Sequence, residues 1–121
     1  MKVTKEDVLL KLYPEEPNYK NAAKLGTEAL DHLREIINGA DPLLAAKAVS
    51  LVSWINDEKS IEILIEAARS RHRSVRILVA SASKKFDTKI GKKILDPILK
   101  DKDESVRLMG LKSKKYLEKD K

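Results

Sequence analysis

The chain has 121 residues, with 25 Lys and Arg against 19 Asp and Glu, four Gly, four Pro and no Cys. That length carries one domain with one core, and the lack of cysteine excludes disulfides, thiolate metal sites and cysteine nucleophiles. Apolar residues are 42% and charged residues 36%; with so few Gly and Pro, this helix-forming composition excludes a small all-β domain and points to an all-α fold with much surface per unit of core.

The first predicted element opens at Thr4-Lys5-Glu6-Asp7, a capping box with Asp in place of the usual Glu. A helix over 5–13 comes next, carrying Val8, Leu9 and Leu12. Lys11 interrupts its apolar run, which is too short for a signal-peptide core. No window approaches the ~18 to 20 apolar residues of a membrane span. These features predict a soluble, cytoplasmic protein with no membrane partner. Tyr13-Pro14-Glu15-Glu16-Pro17 ends the helix, and a second short helix is predicted over 18–25. Residues 1–25 thus read as a helical hairpin that caps the remainder of the chain.

From Gly26 onward the chain repeats itself. An offset of 31 residues brings Leu44, Val75 and Val106 into register, and likewise Ile55, Phe86 and Leu117. Leu33, Leu64 and Leu95 align in the same way, as do Ile36, Ala67 and Ile98. Three ungapped units result, 26–56, 57–87 and 88–118, with a short polar tail over 119–121 that is predicted to fray. Each unit holds two helical patterns with apolar residues at i, i+3, i+4 and i+7. In unit one the first carries Leu30, Leu33, Ile36 and Ile37, and the second carries Leu44, Ala48, Leu51, Val52 and Ile55. Between them, Asn38-Gly39 is placed to form a left-handed C-cap, and Asp41-Pro42 an N-cap with Pro in the first helical position. Asp103 is placed to cap the last helix. One such hairpin cannot cover its own apolar face, whereas three stacked hairpins build a continuous core. The predicted architecture is an all-α α-solenoid of antiparallel helix pairs, about eight helices in one domain. In the last helix Ser113 and Lys114 stand where unit one has Leu51 and Val52, so the face that a fourth unit would cover is predicted to be polar.

Two segments carry a family resemblance. Asp101-Lys102-Asp103-Glu104-Ser105-Val106-Arg107 and Ser70-Arg71-His72-Arg73-Ser74-Val75-Arg76 each place Val-Arg in the first turn of the second helix, and the former also has the acidic turn. Asp41-Pro42-Leu43-Leu44-Ala45 is the same element with Ala45 in place of the Arg. With the 31-residue period, the chain resembles the HEAT-repeat family, of the short bacterial and archaeal type, over 26–118. The resemblance implies a HEAT-like superhelix whose second helices line a concave surface where partners bind. It implies a structural role for Arg76 and Arg107, with Asp101 and Asp87 as their partners. It also implies a scaffold or adaptor, although related short repeats occur in phycobilin lyases and in a DNA glycosylase family.

The net charge of +6 hides a division, −4 over residues 1–68 against +10 over residues 69–121. On the first helices Glu58, Glu62 and Glu66 line one edge of unit two, and Lys89 and Lys93 stand in register in unit three. Pairs such as Glu62 with Lys93 are expected there. On the second helices the register gathers Lys84, Lys85, Lys112 and Lys115, flanked by Trp54 and Tyr116. Arg71, His72 and Arg73 sit at a turn near one end. Such a patch suits an acidic or mixed-charge protein segment, and it also suits the phosphates and bases of a nucleic acid. The blander reading has Trp54 and Tyr116 filling the seam between repeats and the lysines keeping a thin solenoid in solution.

Catalytic constellations do not emerge. His32 and His72 lie in different elements without ligand spacing around them. The glycines are scattered, so no phosphate loop forms, and no serine sits in a nucleophile elbow. The paired carboxylates, Asp101 with Asp103 and Glu15 with Glu16, lie in solvated turns. No catalytic residue, metal or cofactor is therefore expected. The sequence predicts a non-enzymatic interaction module that docks another protein on its basic concave face. Nucleic-acid binding is the alternative, and a HEAT-like lyase or glycosylase the third reading. A monomer is expected, with head-to-tail stacking of the two oppositely charged halves as the other arrangement.

Overall fold

The structure, a computed structural model, describes residues 2–119. Of the tail predicted to fray, Asp120 and Lys121 lie outside the described residues, while Lys119 ends the last helix. Among the described residues there are eight α-helices and no strand: α1 (Lys5–Leu12), α2 (Tyr19–Ala22), α3 (Leu30–Ile37), α4 (Pro42–Ile55), α5 (Glu58–Ala67), α6 (Arg73–Ala82), α7 (Thr88–Leu99) and α8 (Glu104–Lys119). Short 3₁₀ turns at Ala23–Leu25, Thr27–Ala29 and Ser83–Lys85 tighten the connections.

Side-chain caps start most of these helices. Thr4 Oγ1 accepts from the Asp7 amide at 3.1 Å while Asp7 Oδ2 accepts from the Thr4 amide at 2.9 Å, a reciprocal box in which the shorter Asp still reaches. Asp41 accepts from the Leu43 and Leu44 amides at 3.0 and 3.2 Å, with Pro42 in the first turn of α4. The predicted left-handed cap at Asn38-Gly39 does not form. Asn38 has φ −84° and ψ 0°, and Gly39 donates its amide to Ile36 O at 3.1 Å, so α3 ends by tightening into an i→i+3 bond. The left-handed cap falls instead on Asn56, φ 54°, at the end of α4. Its side chain donates to Lys85 O at 3.0 Å, which ties the end of α4 to the turn after α6.

The helices stack in two layers. α4, α6 and α8 pack side by side, α3, α5 and α7 do the same, and each pair α3/α4, α5/α6 and α7/α8 is in contact across the layers. Leu33, Leu64 and Leu95 are fully buried between the layers, as are Val75, Val79 and Val106. Each such leucine contributes roughly 1.5–3 kcal/mol on the scale of apolar transfer. The N-terminal hairpin seals the first pair: Val8 and Leu12 are buried, and Lys47 Nζ of α4 donates to the carbonyls of Leu12 and Pro14 at 3.2 and 2.9 Å. A cation at the carbonyl end of α1 is favoured there by the helix dipole.

The last helix departs from the expected polar end. Ser113 is only 2% exposed, because it shares a face with Val106, Gly110 and Leu117 at i, i+4, i+7 and i+11 and turns inward. The uncovered side of α8 carries Leu108 and Leu111 instead, 56% and 46% exposed.

α7 and α8 approach closely. A Cβ at Gly91 would lie 2.5 Å from a Leu117 methyl and 2.9 Å from the Ser83 carbonyl oxygen. The methyl can swing aside, but the backbone oxygen cannot. Gly91→Ala is therefore expected to lower stability by about 1–3 kcal/mol despite its better helix propensity. Urea denaturation reads this directly; an unchanged midpoint would mean that α7 slides outward without cost.

Candidate functional site

The residues gathered by the repeat register divide into two groups. Near the C-terminal end of α6, Lys85 Nζ sits 3.3 Å from the centroid of the Trp54 ring, and Lys84 Nζ sits 5.4 Å from that of Tyr116. Trp54 is 38% exposed and Tyr116 52%, so neither ring is shut into the seam. Both lysines are carried by the 3₁₀ turn Ser83–Lys85, which ends α6 and aims consecutive side chains at rings on its two neighbouring helices, α4 and α8. Each contact is a cation over a π face, worth about 0.5–1 kcal/mol at an exposed site. Lys112 stands one turn before Tyr116 on α8 and is exposed. Lys115 is exposed as well, but it is spaced i+4 and i+7 from Leu111 and Leu108 and shares their side of the helix.

Arg71 and Arg73 lie at the other end of α6, about 16 Å away along a helix that rises 1.5 Å per residue. They are engaged with the turns of neighbouring pairs. Arg71 Nη2 donates to Gly39 O at 3.3 Å, and His72 Nε2 lies at the same distance from that oxygen. Arg73 pairs with Asp103 at 3.5 Å. A cleft of about 420 Å³ opens here between Arg69, Arg71 and Lys102. His32 Nε2 contacts Val3 O at 3.0 Å, so each histidine meets a backbone carbonyl.

The two signature arginines of the turns behave differently. Arg76 Nε donates to Asp101 Oδ2 at 2.8 Å and Nη1 to Ser70 O at 2.7 Å, and the arginine and aspartate side chains are only 10% and 7% exposed. Asp101 Oδ1 accepts in addition from the Asp103 amide at 2.9 Å. Arg107 takes the equivalent backbone contact, Nη1 to Asp101 O at 2.6 Å. Asp87, expected beside an arginine, instead caps α7 by accepting from the Ile90 amide at 2.9 Å. It stands at a helix start, where the orphan amide is the nearer donor.

Along α3 and α5 the acidic edge is answered from within the first two pairs and from the N-terminal hairpin. Arg34 grips Glu66 with two bonds of 3.0 and 3.2 Å, and Lys59 reaches Asp31. No ion pair joins Glu62 to Lys93 among the described residues; Arg34 and Lys59 come from the same two helices as the acids they meet, and Lys5 of α1 reaches Glu35 at 3.2 Å. Such exposed pairs contribute ~0 to 1 kcal/mol each.

A family model of HEAT repeats matches residues 27–112. The chain belongs to the HEAT-repeat family. Its all-helical stack is the α-solenoid that this family builds, and HEAT repeats are typical of protein-interaction scaffolds. Among curated proteins, none matches the chain. In this HEAT protein no helix among the described residues is long and apolar enough to cross a membrane. No group of three or more His, Asp or Glu among those residues is placed to hold a metal ion.

The lysine–aromatic contacts were half-legible in the sequence. The register placed the four residues on one surface, but the pairing of Lys85 with Trp54 depends on the 3₁₀ turn, which the helical period does not reveal.

Two outcomes are expected from the turns. Asp101→Ala strips the partner from a nearly buried guanidinium and is expected to cost roughly 3–5 kcal/mol. Asp96→Ala, which breaks the exposed pair with Lys100, is expected to leave the thermal midpoint unchanged. Equal effects of the two would show that Arg76 finds solvent. The second outcome concerns pH. Hydrogen bonds hold three carboxyls below the usual range: the Thr4 amide and then its hydroxyl act on Asp7, Lys59 on Asp31, and the Ser105 hydroxyl on Asp103. On acidification the unfolded chain therefore takes up these protons first. The associated stability is complete above the ordinary aspartate pKa of ~3.9 and falls away below it. Thermal melts from pH 7 to pH 2 should show the decline, and Asp31→Asn should flatten it; a midpoint constant to pH 2 would contradict the assignment.

Proposed function

We propose that this HEAT protein is an interaction module that receives an acidic or mixed-charge segment of another protein between Trp54 and Tyr116. The observation that carries the reading is the double contact at the end of α6, Lys85 over Trp54 and Lys84 over Tyr116. Each lysine is already held against a ring, so its charge is oriented before a partner arrives and less side-chain freedom is lost on binding. Carboxylates of the partner meet Lys84, Lys85 and Lys112, while the exposed ring surfaces supply apolar contact. Aromatic anchors with a charged rim are characteristic of protein interfaces. The net charge of +10 over residues 69–121 steers such a segment toward this end of the solenoid.

Trp54 is the sole tryptophan, so its emission reports the site without a label. Titration with a glutamate-rich peptide is expected to shift that emission, with affinity falling as salt is raised. The triple charge reversal Lys84→Glu, Lys85→Glu, Lys112→Glu is expected to weaken binding by at least about tenfold while the helical circular dichroism is retained. An unresponsive Trp54 would overturn the reading. So would tighter binding of a single-stranded oligonucleotide than of the peptide, with a steep salt slope, which would assign the basic half to nucleic acid.

A further inference from the structure

Leu108 and Leu111 are large apolar residues left open on a helix whose other apolar residues are mostly covered. The 31-residue register shows why Leu111 is open. Its counterparts Val49 and Ala80 are fully buried on helices α4 and α6, each of which packs against the next helix of its layer, and no helix among the described residues comes after α8. Around them the stripe has a definite order. Glu104, Leu108, Leu111 and Lys115 are spaced i, i+4, i+7 and i+11, which puts them on one line along α8. At 100° per residue they fall within an arc of about 60°.

That order, acid then leucine, leucine and base, is complementary to its own reversal. We propose that α8 docks against α8 of a second copy of this chain in antiparallel orientation. The two-fold axis passes between Leu108 and Leu111. Leu108 then meets the partner's Leu111, and Glu104 meets the partner's Lys115, and each contact occurs twice. A parallel alignment would set Glu104 on glutamate and Lys115 on lysine, so the charges select the antiparallel one. The contact is isologous and closes on itself, unlike head-to-tail stacking. Arg107, Lys112 and Lys114 flank the stripe on both sides and repel their counterparts. Two leucines per copy are also few for a standard interface of about 800 Å² per partner. The dimer is therefore weak and forms at high protein concentration. The inference does not rest on the lysine–aromatic site, and none of the three lysines reversed in its test is altered here.

Sedimentation equilibrium of the full chain from about 10 μM to about 1 mM tests it; this range brackets a weak association. Wild type is expected to pass from monomer toward dimer and to stop there. Leu111→Asp should abolish the dimer, and since Leu111 is exposed its helical signal should be unchanged. Glu104→Lys and Lys115→Glu should each weaken association about tenfold, because two attractive pairs per dimer become repulsive. The double variant Glu104→Lys, Lys115→Glu should recover it to within about threefold. Reversal of Glu104 also disfavours the start of α8. The double variant carries the same penalty, so recovery reports pairing and not folding. A monomer at all concentrations, species growing beyond a dimer, or a double variant that fails to recover would each overturn the proposal.

Discussion

A pair of antiparallel helices exposes apolar side chains on both of its flanks, and it cannot turn both toward itself. Every other feature of this protein derives from that constraint. Leu33, Leu64 and Leu95 are buried between the two layers, each pair packs against its neighbours, and the N-terminal hairpin packs against the first pair, which has no earlier one. The same constraint fixes where charge can go. Neighbouring turns are brought close enough for a nearly buried ion pair, Arg76 with Asp101, whose remaining polar atoms are answered by Ser70 O and the Asp103 amide. Such a pair is tolerable only when fully bonded. It therefore holds the turns of the second and third helix pairs at one spacing.

The parts legible in the sequence were those set by local chemistry or by period. The capping box at Thr4, the Asp41-Pro42 start of α4 and the inward faces of Val75 and Val106 depend on residues within one helical turn. The features that escaped depended on contacts between repeats. Asn38-Gly39 has the composition of a left-handed cap, but the turn needed there must present Gly39 O to Arg71 and His72 of the next pair. Ser113 looked like a polar end because it aligns with Leu51. In α8 it faces inward beside Gly110, whose missing side chain lets α7 close in until a Cβ there would be 2.8 Å from Ile98. Asp87 could be assigned to an arginine only while its own helix start was ignored.

The charge division gains meaning once placed on the fold. In the acidic half, Arg34 and Lys59 hold Glu66 and Asp31 along α3 and α5, and Lys5 holds Glu35. The basic half is freer, since Lys112 and Lys115 stand exposed on α8 and Lys84 and Lys85 rest on rings instead of on carboxylates. These cations are oriented but not neutralised, which is the feature the proposed acidic partner would use.

Two sets of ties join the first and second helix pairs, Arg71 and His72 to Gly39 O at one end and Asn56 to Lys85 O at the other, and Arg76 to Asp101 then joins the second pair to the third. Each joins one helix pair to its neighbour, and none spans three. Under tension between its ends such a solenoid behaves as a chain of links in which load passes from one junction to the next. The weakest junction gives first, and the pairs beyond it stay folded. Its extension under force would then come in steps, each the length of one released hairpin, and the molecule would act mechanically as a short spring with discrete stops.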